Sequence, residues 1–534
     1  MPDDKPDSFF HPIIYVRGFA MTRGDIDDTT ADPFCGFNLG STVYRATVDR
    51  DRTRKYIFQS PVVRLASDYG YSDVYTDGLD IMDQEWNPGA TLSRRSIIVF
   101  RYYDPASNLL GSGKTPPIEE FARNLSELIA RVRDLVSRNP ANRVSPETFR
   151  CYLVAHSMGG LVCRAFLQNR TLDVKHMYRY IDKFFTYATP HNGIEIEIGS
   201  LNVPKWLSKD DISNFNRTRM AGYLDLQAWF DRTKRVDWIP EAFPDTLFGA
   251  SRTFCLVGTN RMDYEVAQGL SRTFVGNGSD GLVRIENATL SGFTANGTPS
   301  GPVAKAYVYR SHSGFYGIVN SEESYQNLTR FLFGDYRIDV WIDVDDLRLP
   351  ADVRSKADAG QTVDALYQFE VFAAPRGKLW YLTRRVAEED SVAVLKYQDW
   401  KKGAKPASLY VSSVFLDTAA RITNSKSSAY SLTLRVRVPD YEVERKLWLD
   451  QHFEGGYLFQ DQLKVEIFDP GTEGPSTVIK YDWQSQQTGP PTRQPATRLV
   501  DGKLEVVVPF DGDKTPGVRG QVRFMASAWN EWNR

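Results

Sequence analysis

The stretch Thr148–Val162, TFRCYLVAHSMGGLV, restricts the fold of this chain more than any other. Phe149 to Val154 is mostly apolar, broken only by Arg150, and suits a strand buried on both faces of a parallel sheet. Ala155-His156-Ser157-Met158-Gly159-Gly160 follows, and a helical pattern begins at Leu161. Strand, tight turn of small residues and helix form the context in which a G-x-S-x-G elbow has chemical meaning. Ser157 sits on the sharp turn, with Gly159 and Gly160 letting the helix start close to the strand. Ala155 stands where the first Gly of the pattern is expected, and is small enough to clear a neighbouring strand.

A second strand, Ile13–Val16, ends in Arg17-Gly18-Phe19, where a glycine lets the backbone turn an amide toward a ligand. Further apolar strands are expected at Ser96–Tyr102, Lys183–Ala188, Thr253–Val257 and Ala306–Tyr309. Pro116–Asn139 carries one apolar stripe of helical period, from Ile118 through Phe121, Leu125, Leu128 and Val132 to Val136. Thr115 is its expected cap and Pro140 its stop. Ser321–Phe333 reads as a closing helix, and residues 20–90 as an excursion without helical period. Strands alternating with helices predict a mostly parallel sheet covered on both faces.

With 534 residues the chain has room for several domains, and 42 % hydrophobic residues supply their cores. A formal net charge of −2 gives no electrostatic reason to expect a nucleic-acid partner. The four cysteines, Cys35, Cys151, Cys163 and Cys255, have no metal-ligand spacing and read as free thiols, three of them in apolar patterns. The acidic, proline-rich MPDDKPDSFFHP does not read as a signal peptide, and no apolar run is long enough to be expected to span a bilayer. A cytoplasmic location at synthesis is expected on that basis, with signal-independent export still open.

Four motifs carry a family resemblance. IIYVRGF resembles the apolar strand ending in His-Gly and an apolar residue in lipases, with Arg17 in place of the His. AHSMGG resembles the lipase nucleophile elbow, and TYATPHNG at Thr186–Gly193 the strand-end T-P-H-x-G of lipases and of GPI inositol-deacylase-like proteins. Ser279-Asp280-Gly281-Leu282-Val283 resembles the D-G-L-V stretch that holds the catalytic acid in bacterial true lipases. From about Pro12 to Gly334 the chain thus resembles the α/β-hydrolase superfamily, in its lipase and esterase branch. The resemblance implies an α/β-hydrolase domain over residues 1–335, with a cap or lid insertion at about 194–250. The aromatic residues Trp206, Trp229, Phe230 and Trp238 of that insertion are expected to line an acyl pocket.

A Ser nucleophile needs a base, and a carboxylate to orient it. Of six histidines, His312, just after the last expected strand, suits the Ser…Asp…His chain order. His11, His176 and His452 lie elsewhere, His191 comes too early, and His156 abuts the nucleophile, so that its side chain should point away from the hydroxyl. Asp280 is the leading acid, because Gly278, Ser279 and Gly281 give a tight turn, with Asp263 the alternative and Glu286 third. The resemblance implies an oxyanion hole from the backbone amides of Phe19 and Met158. It implies no metal and no cofactor, the Asp that would follow His312 at a lipase calcium site being absent.

The expected activity is serine-dependent hydrolysis of acyl esters, with lipid substrates and a peripheral membrane contact compatible with it. An acyltransferase or amidase with the same triad, or a non-catalytic binding protein, stays open. From Tyr336 the pattern changes to alternating strands, which predicts an all-β sandwich-like domain over residues 336–534. Expected strands include Leu366–Phe372, Leu379–Leu382, Leu432–Val438 and Leu463–Phe468. Gln484–Arg498 reads as a mobile loop, and Asp343, Asp345 and Asp346 as a solvated strand face rather than a calcium site.

Overall fold

The computed structural model describes residues 5–18, 37, 41–47, 50–58, 60–74, 81–82, 89–102, 116–194, 214–235, 239–262, 278–314, 317–420, 427–444 and 451–530. The chain divides into two compact units, Met1–Lys305 with Arg310–Leu332, and Ala306–Tyr309 with Phe333–Arg534.

The strands of the first part of the chain are β1 (Ile13–Val16), β2 (Ser41–Thr47), β3 (Arg50–Phe58), β4 (Ser72–Asp73), β5 (Ser96–Phe100), β6 (Cys151–His156), β7 (Ile181–Tyr187), β8 (Ala242–Asp245), β9 (Thr253–Gly258), β10 (Ser291–Thr294) and β11 (Ala304–Val308). In the first unit, β9-β7-β6-β1-β5-β4 lie side by side in that order. All five pairings are parallel. The buried, unalternating sequences of β1, β6 and β9 follow from this, since a parallel sheet is covered on both faces. After β1 the chain builds outward through β5 on one side, and later through β6, β7 and β9 on the other. The strand order therefore reverses beside β1, where open α/β sheets bind ligands at their carboxyl ends.

Helix α1 (Pro61–Tyr69) lies in a stretch that the sequence shows no period for. It is nevertheless well bounded: the Ser60 side chain accepts a hydrogen bond from the Val63 amide, and Gly70 ends it in the left-handed region at φ 68°. The β2–β3 hairpin also falls in that excursion. Helix α2 (Ile118–Ser137) buries the expected stripe. Pro117 rather than Thr115 holds its N-cap position, and Thr115 lies outside the described residues. Helix α3 (Met158–Gln168), which follows Ser157, is buried along its whole length. Helices α4 (Arg217–Tyr223) and α5 (Leu226–Thr233) come from the expected lid, and α6 (Glu322–Phe333) is the closing helix.

Trp229 and Phe230 of α5 do not form a free aromatic face. They are 2 % and 3 % exposed and belong to the main core, with Trp229 packed against Phe293 and its indole N–H bonded to the Ala295 carbonyl. The described part of the insertion is core packing. Trp206 and Trp238 lie outside the described residues.

The second unit is antiparallel. Its strands are β12 (Tyr336–Arg348), β13 (Val363–Pro375), β14 (Thr383–Arg385), β15 (Ala393–Lys396), β16 (Ala407–Leu416), β17 (Ser427–Val443), β18 (Gln451–Phe468), β19 (Val478–Trp483), β20 (Ala496–Val500), β21 (Lys503–Asp511) and β22 (Gly517–Ala528). One sheet has the order β16-β12-β22-β21-β20 and the other β14-β13-β17-β18-β19, with β15 on β13. Ile342 and Val344 of the first sheet and Val371, Leu434 and Val436 of the second share one core. Two short helices, α7 (Ala351–Asp358) and α8 (Tyr397–Lys402), interrupt the all-β pattern.

Three expectations for this unit are corrected. Strand β14 begins at Thr383, not Leu379, because Leu379–Leu382 lies in the turn after β13. Gln484–Arg498 is pinned rather than mobile: Lys464 Nζ binds the Gln487 and Gly489 carbonyls, Asp482 accepts from the Thr492 amide, and β20 begins at Ala496. Asp343 is not solvated, because Arg523 donates to both its carboxylate oxygens at 2.6 and 3.0 Å.

Candidate active site

The site is built at the carboxyl ends of the sheet strands. Strand β6 runs straight into α3, and Ser157 between them has φ 52° and ψ −126°. A non-glycine residue rarely takes this conformation, and the cost is about 1–3 kcal/mol. The surroundings enforce it. The Ser157 amide donates to the Tyr187 carbonyl at 2.9 Å, and its carbonyl accepts from Gly160 at 3.0 Å. The approach of α3 is equally tight. A Cβ on Gly159 would lie 2.2 Å from the Val16 carbonyl oxygen, and one on Gly160 2.1 Å from Thr189 Oγ1. A Cβ on Gly18 would lie 2.6 Å from the Ser157 Cβ, so the end of β1 passes directly against the nucleophile position.

His312 Nε2 lies 2.9 Å from Ser157 Oγ, and its Nδ1 lies 2.9 Å from Asp280 Oδ2. The three residues are separated by long stretches of chain: Ser157 follows β6 directly, Asp280 comes after β9 and His312 after β11. Asp280 is held as an acceptor. Its Oδ1 takes the amides of Leu282 and Val283 at 3.0 and 2.8 Å, while its carbonyl accepts the His312 amide at 2.9 Å. Oδ2 is thereby aimed at the imidazole. Gly258 at the end of β9 leaves room for this carboxylate, since a Cβ there would lie 2.9 Å from the Asp280 Cβ.

Ser157, Asp280 and His312 are 4 %, 1 % and 3 % exposed, so the hydroxyl is a buried group and not a surface one. Of the other candidate acids, Glu286 is exposed beside Arg284, and Asp263 lies outside the described residues. Phe19 also lies outside them. Met158 is the first residue of α3, so its amide belongs to the first turn, whose N–H groups have no intrahelical acceptor.

Two residues of the site escaped the sequence. His156 does not simply turn away: its Nε2 lies 2.8 Å from the His312 carbonyl, and the two rings are 4.9 Å apart. A carbonyl only accepts, so Nε2 carries the proton. Burial holds His156 well below the ordinary histidine range, helped by the neighbouring His312. Arg164, on α3, is fully buried and meets no carboxylate among the described residues. It donates to Gln168 Oε1 at 2.8 Å and to the carbonyls of His191, Pro240 and Ala242 at 2.9, 2.9 and 3.0 Å. Burial brings its pKa down to about 10. It ties the elbow helix to the end of β7 and to the insertion. An Arg on an otherwise apolar helix was the available signal.

His191 is buried against Thr186 Oγ1 at 3.2 Å and stays neutral through burial, with Arg164 adding to the effect. Among the described residues, Asp440, Glu442 and His452 stand close enough to hold a metal ion, but they are exposed or half-exposed on β17 and β18 and belong to no part of this site. No helix among the described residues is long and apolar enough to cross a membrane.

Residues 114–214 match the family described as the PGAP1-like alpha/beta domain. No curated protein matches the chain. Among solved structures, the lipase BlEst2 of Bacillus licheniformis is 15 % identical over 59 % of this chain and 89 % of its own, with a TM-score of 0.30. Phospholipase PlaB of Legionella pneumophila, in complex with thio-NAD, is 14 % identical over 83 % of this chain and 89 % of its own, with a TM-score of 0.34. A putative cell surface hydrolase of Lactobacillus plantarum is 13 % identical over 61 % and 90 %, with a TM-score of 0.23. Superpositions this loose decide nothing about activity. The parallel sheet, the strand-turn-helix elbow and the PGAP1-like match are those of an α/β-hydrolase fold.

Proposed function

We propose that the chain is a serine hydrolase that cleaves carboxylic acyl esters through an acyl-enzyme, with Ser157 as nucleophile, His312 as base and Asp280 as orienting acid. The observation that carries this reading is the single imidazole bridging Ser157 Oγ and Asp280 Oδ2 at 2.9 Å on each side. With Asp280 accepting the Nδ1 proton, Nε2 presents a lone pair to the hydroxyl. It takes the Ser157 proton as Oγ attacks the ester carbonyl, and returns it to the leaving alcohol. Charge on the carbonyl oxygen falls to the Met158 amide at the start of α3. The expected second donor, the Phe19 amide, belongs to the same proposal. Each such donor is worth roughly 3 kcal/mol in serine hydrolases. Water, activated by the same imidazole, releases the acid.

Lipid esters are the substrate class we assign, supported by the lipase-type motifs AHSMGG and SDGLV that carry Ser157 and Asp280. The test is labelling with a fluorophosphonate probe, together with hydrolysis of p-nitrophenyl esters from two to twelve carbons and of phospholipids. Labelling at Ser157 and turnover that Ser157→Ala abolishes are expected. Absence of labelling and of turnover would reject an enzyme. Turnover of acetate alone would reject the lipid class while leaving the triad.

A further inference from the structure

The core of the second unit is split. One cluster gathers around Ile342, Val344, Leu434, Val436 and Val522, and a smaller one around Trp380, Leu382, Val414 and Leu416. Between them lies a cavity of about 110 Å³. Of the nineteen residues lining it, only Tyr430, Ser431 and Tyr481 carry a side-chain heteroatom, and none is charged. Both sheets contribute, through β12, β16, β21 and β22 on one side and β13, β17, β18 and β19 on the other. The inward-facing positions change character along the strands. Val340, Leu463 and Val522 are 2 %, 0 % and 0 % exposed. Two residues away, Ile338, Val465 and Phe524 are only half-buried, as are Ile467 and Ala526 beyond them, although the alternation points them all between the sheets.

We propose that this slot binds a single unbranched hydrocarbon chain, the tail of a free fatty acid whose carboxylate stays in water. The lining chooses among occupants. A peptide needs partners for its N–H and C=O groups, which this wall of hydrocarbon does not supply. A charged head group finds no counter-charge among the lining residues. A polymethylene chain meets every condition. On β12, β18 and β22 the lining covers residues two apart, Ile338 and Val340, Val465 and Ile467, Phe524 and Ala526. That is roughly 7 Å of strand, enough for about half a dozen methylenes. Chain affinity should therefore rise by about fourfold per carbon while carbons enter the slot, and level off beyond roughly eight.

The site does not depend on the serine chemistry, and its test avoids it. The full-length Ser157→Ala chain is titrated with cis-parinaric acid, and the probe is displaced with fatty acids of six to fourteen carbons. Displacement should show the rise and plateau in chain length. Ala526→Phe and Ala373→Leu, which fill the slot from opposite sheets, should each weaken the probe at least tenfold with the unfolding temperature preserved. Binding that survives both variants overturns the proposal, as does absence of binding, or association only with phosphatidylcholine vesicles. Should either variant fail to fold, the unaltered chain decides: a diazirine-bearing fatty acid must label peptides containing Ile467, Ile479 or Phe524. Label found only elsewhere rejects the slot.

Discussion

Replacing Asp280 by Asn tests the proposed triad more sharply than removing the side chain, because the surroundings dictate how an amide must sit. Asp280 Oδ1 faces two backbone N–H groups, from Leu282 and Val283, which can only donate. The amide oxygen of Asn must occupy that place. Turned the other way, its NH₂ would leave those buried donors unpaired, at about 1–3 kcal/mol each. The NH₂ therefore takes the position of Oδ2, 2.9 Å from His312 Nδ1, and donates to it. The imidazole is driven into the tautomer with its proton on Nε2, pointing at Ser157 Oγ, with no lone pair left to accept the serine proton. The same inversion in serine proteases lowers kcat about 10⁴-fold, equivalent to about 5.5 kcal/mol of barrier. We expect a loss of that order on p-nitrophenyl octanoate. Asp280→Ala, which leaves the tautomer free, should lose no more than the Asn variant. The Asn variant should unfold at nearly the wild-type temperature, whereas the Ala variant, which leaves the Leu282 and Val283 amides without their acceptor, should unfold lower. An Asn variant within tenfold of wild-type kcat would refute the assignment and return Asp263 to consideration.

Ser157→Gly should abolish turnover while raising stability by about 1 kcal/mol, since glycine takes φ 52° without strain; thermal unfolding that does not shift upward would contradict a strained elbow. Arg164→Met should lower the free energy of unfolding in urea by several kcal/mol, because the buried carbonyls of His191, Pro240 and Ala242 lose their donor at about 1–3 kcal/mol each. Relief of the burial that pulls the Arg164 pKa down to about 10 offsets part of this, and a loss below about 1 kcal/mol would show that the clamp is dispensable. His156 and His191 are both held neutral well below their unfolded pKa of 6.5, so the unfolded chain binds more protons and stability falls as pH drops below that value. Each contributes up to about 2 kcal/mol of destabilisation by pH 5. His191→Gln should flatten the fall in unfolding temperature between pH 7 and 5, and an unchanged slope would remove His191 from the account.

The parts of the fold legible in the sequence are those where one physical demand acts alone. A parallel strand buried on both faces must be largely apolar, and β1, β6 and β9 are. A long helix on a sheet must carry a stripe, and α2 does. Short elements escaped because their evidence is local. Helix α1 has only nine residues, and its best markers are Ser60 before it and Gly70 after it. Strand β20 consists of Ala496–Val500, mostly exposed, so burial left no mark on its sequence. The supposed mobility of Gln484–Arg498 rested on its Gln and Pro content. What holds it is Lys464 and Asp482, which come from neighbouring strands and have no counterpart in the segment's own composition.

The site divides along the same line. Ser157, Asp280 and His312, the proposed triad, can be picked out of the sequence because the chemistry we assign to them demands particular side chains, and the turn glycines beside them demand particular backbones. His156 and Arg164 act by bonding to main-chain carbonyls, and a carbonyl is the same at every position. His156 illustrates the limit. Because it abuts Ser157 in sequence, its side chain is expected to point away from the hydroxyl, and on that ground it was set aside. Yet the folded chain brings the backbone of His312, the proposed base, against the imidazole of His156. One hydrogen bond of 2.8 Å then ties the residue before Ser157 to His312. Sequence order separates the two by 156 positions, and only the folded chain makes them neighbours. A contact of this kind becomes readable once the topology is known, because then any polar residue flanking the elbow has a defined carbonyl to meet.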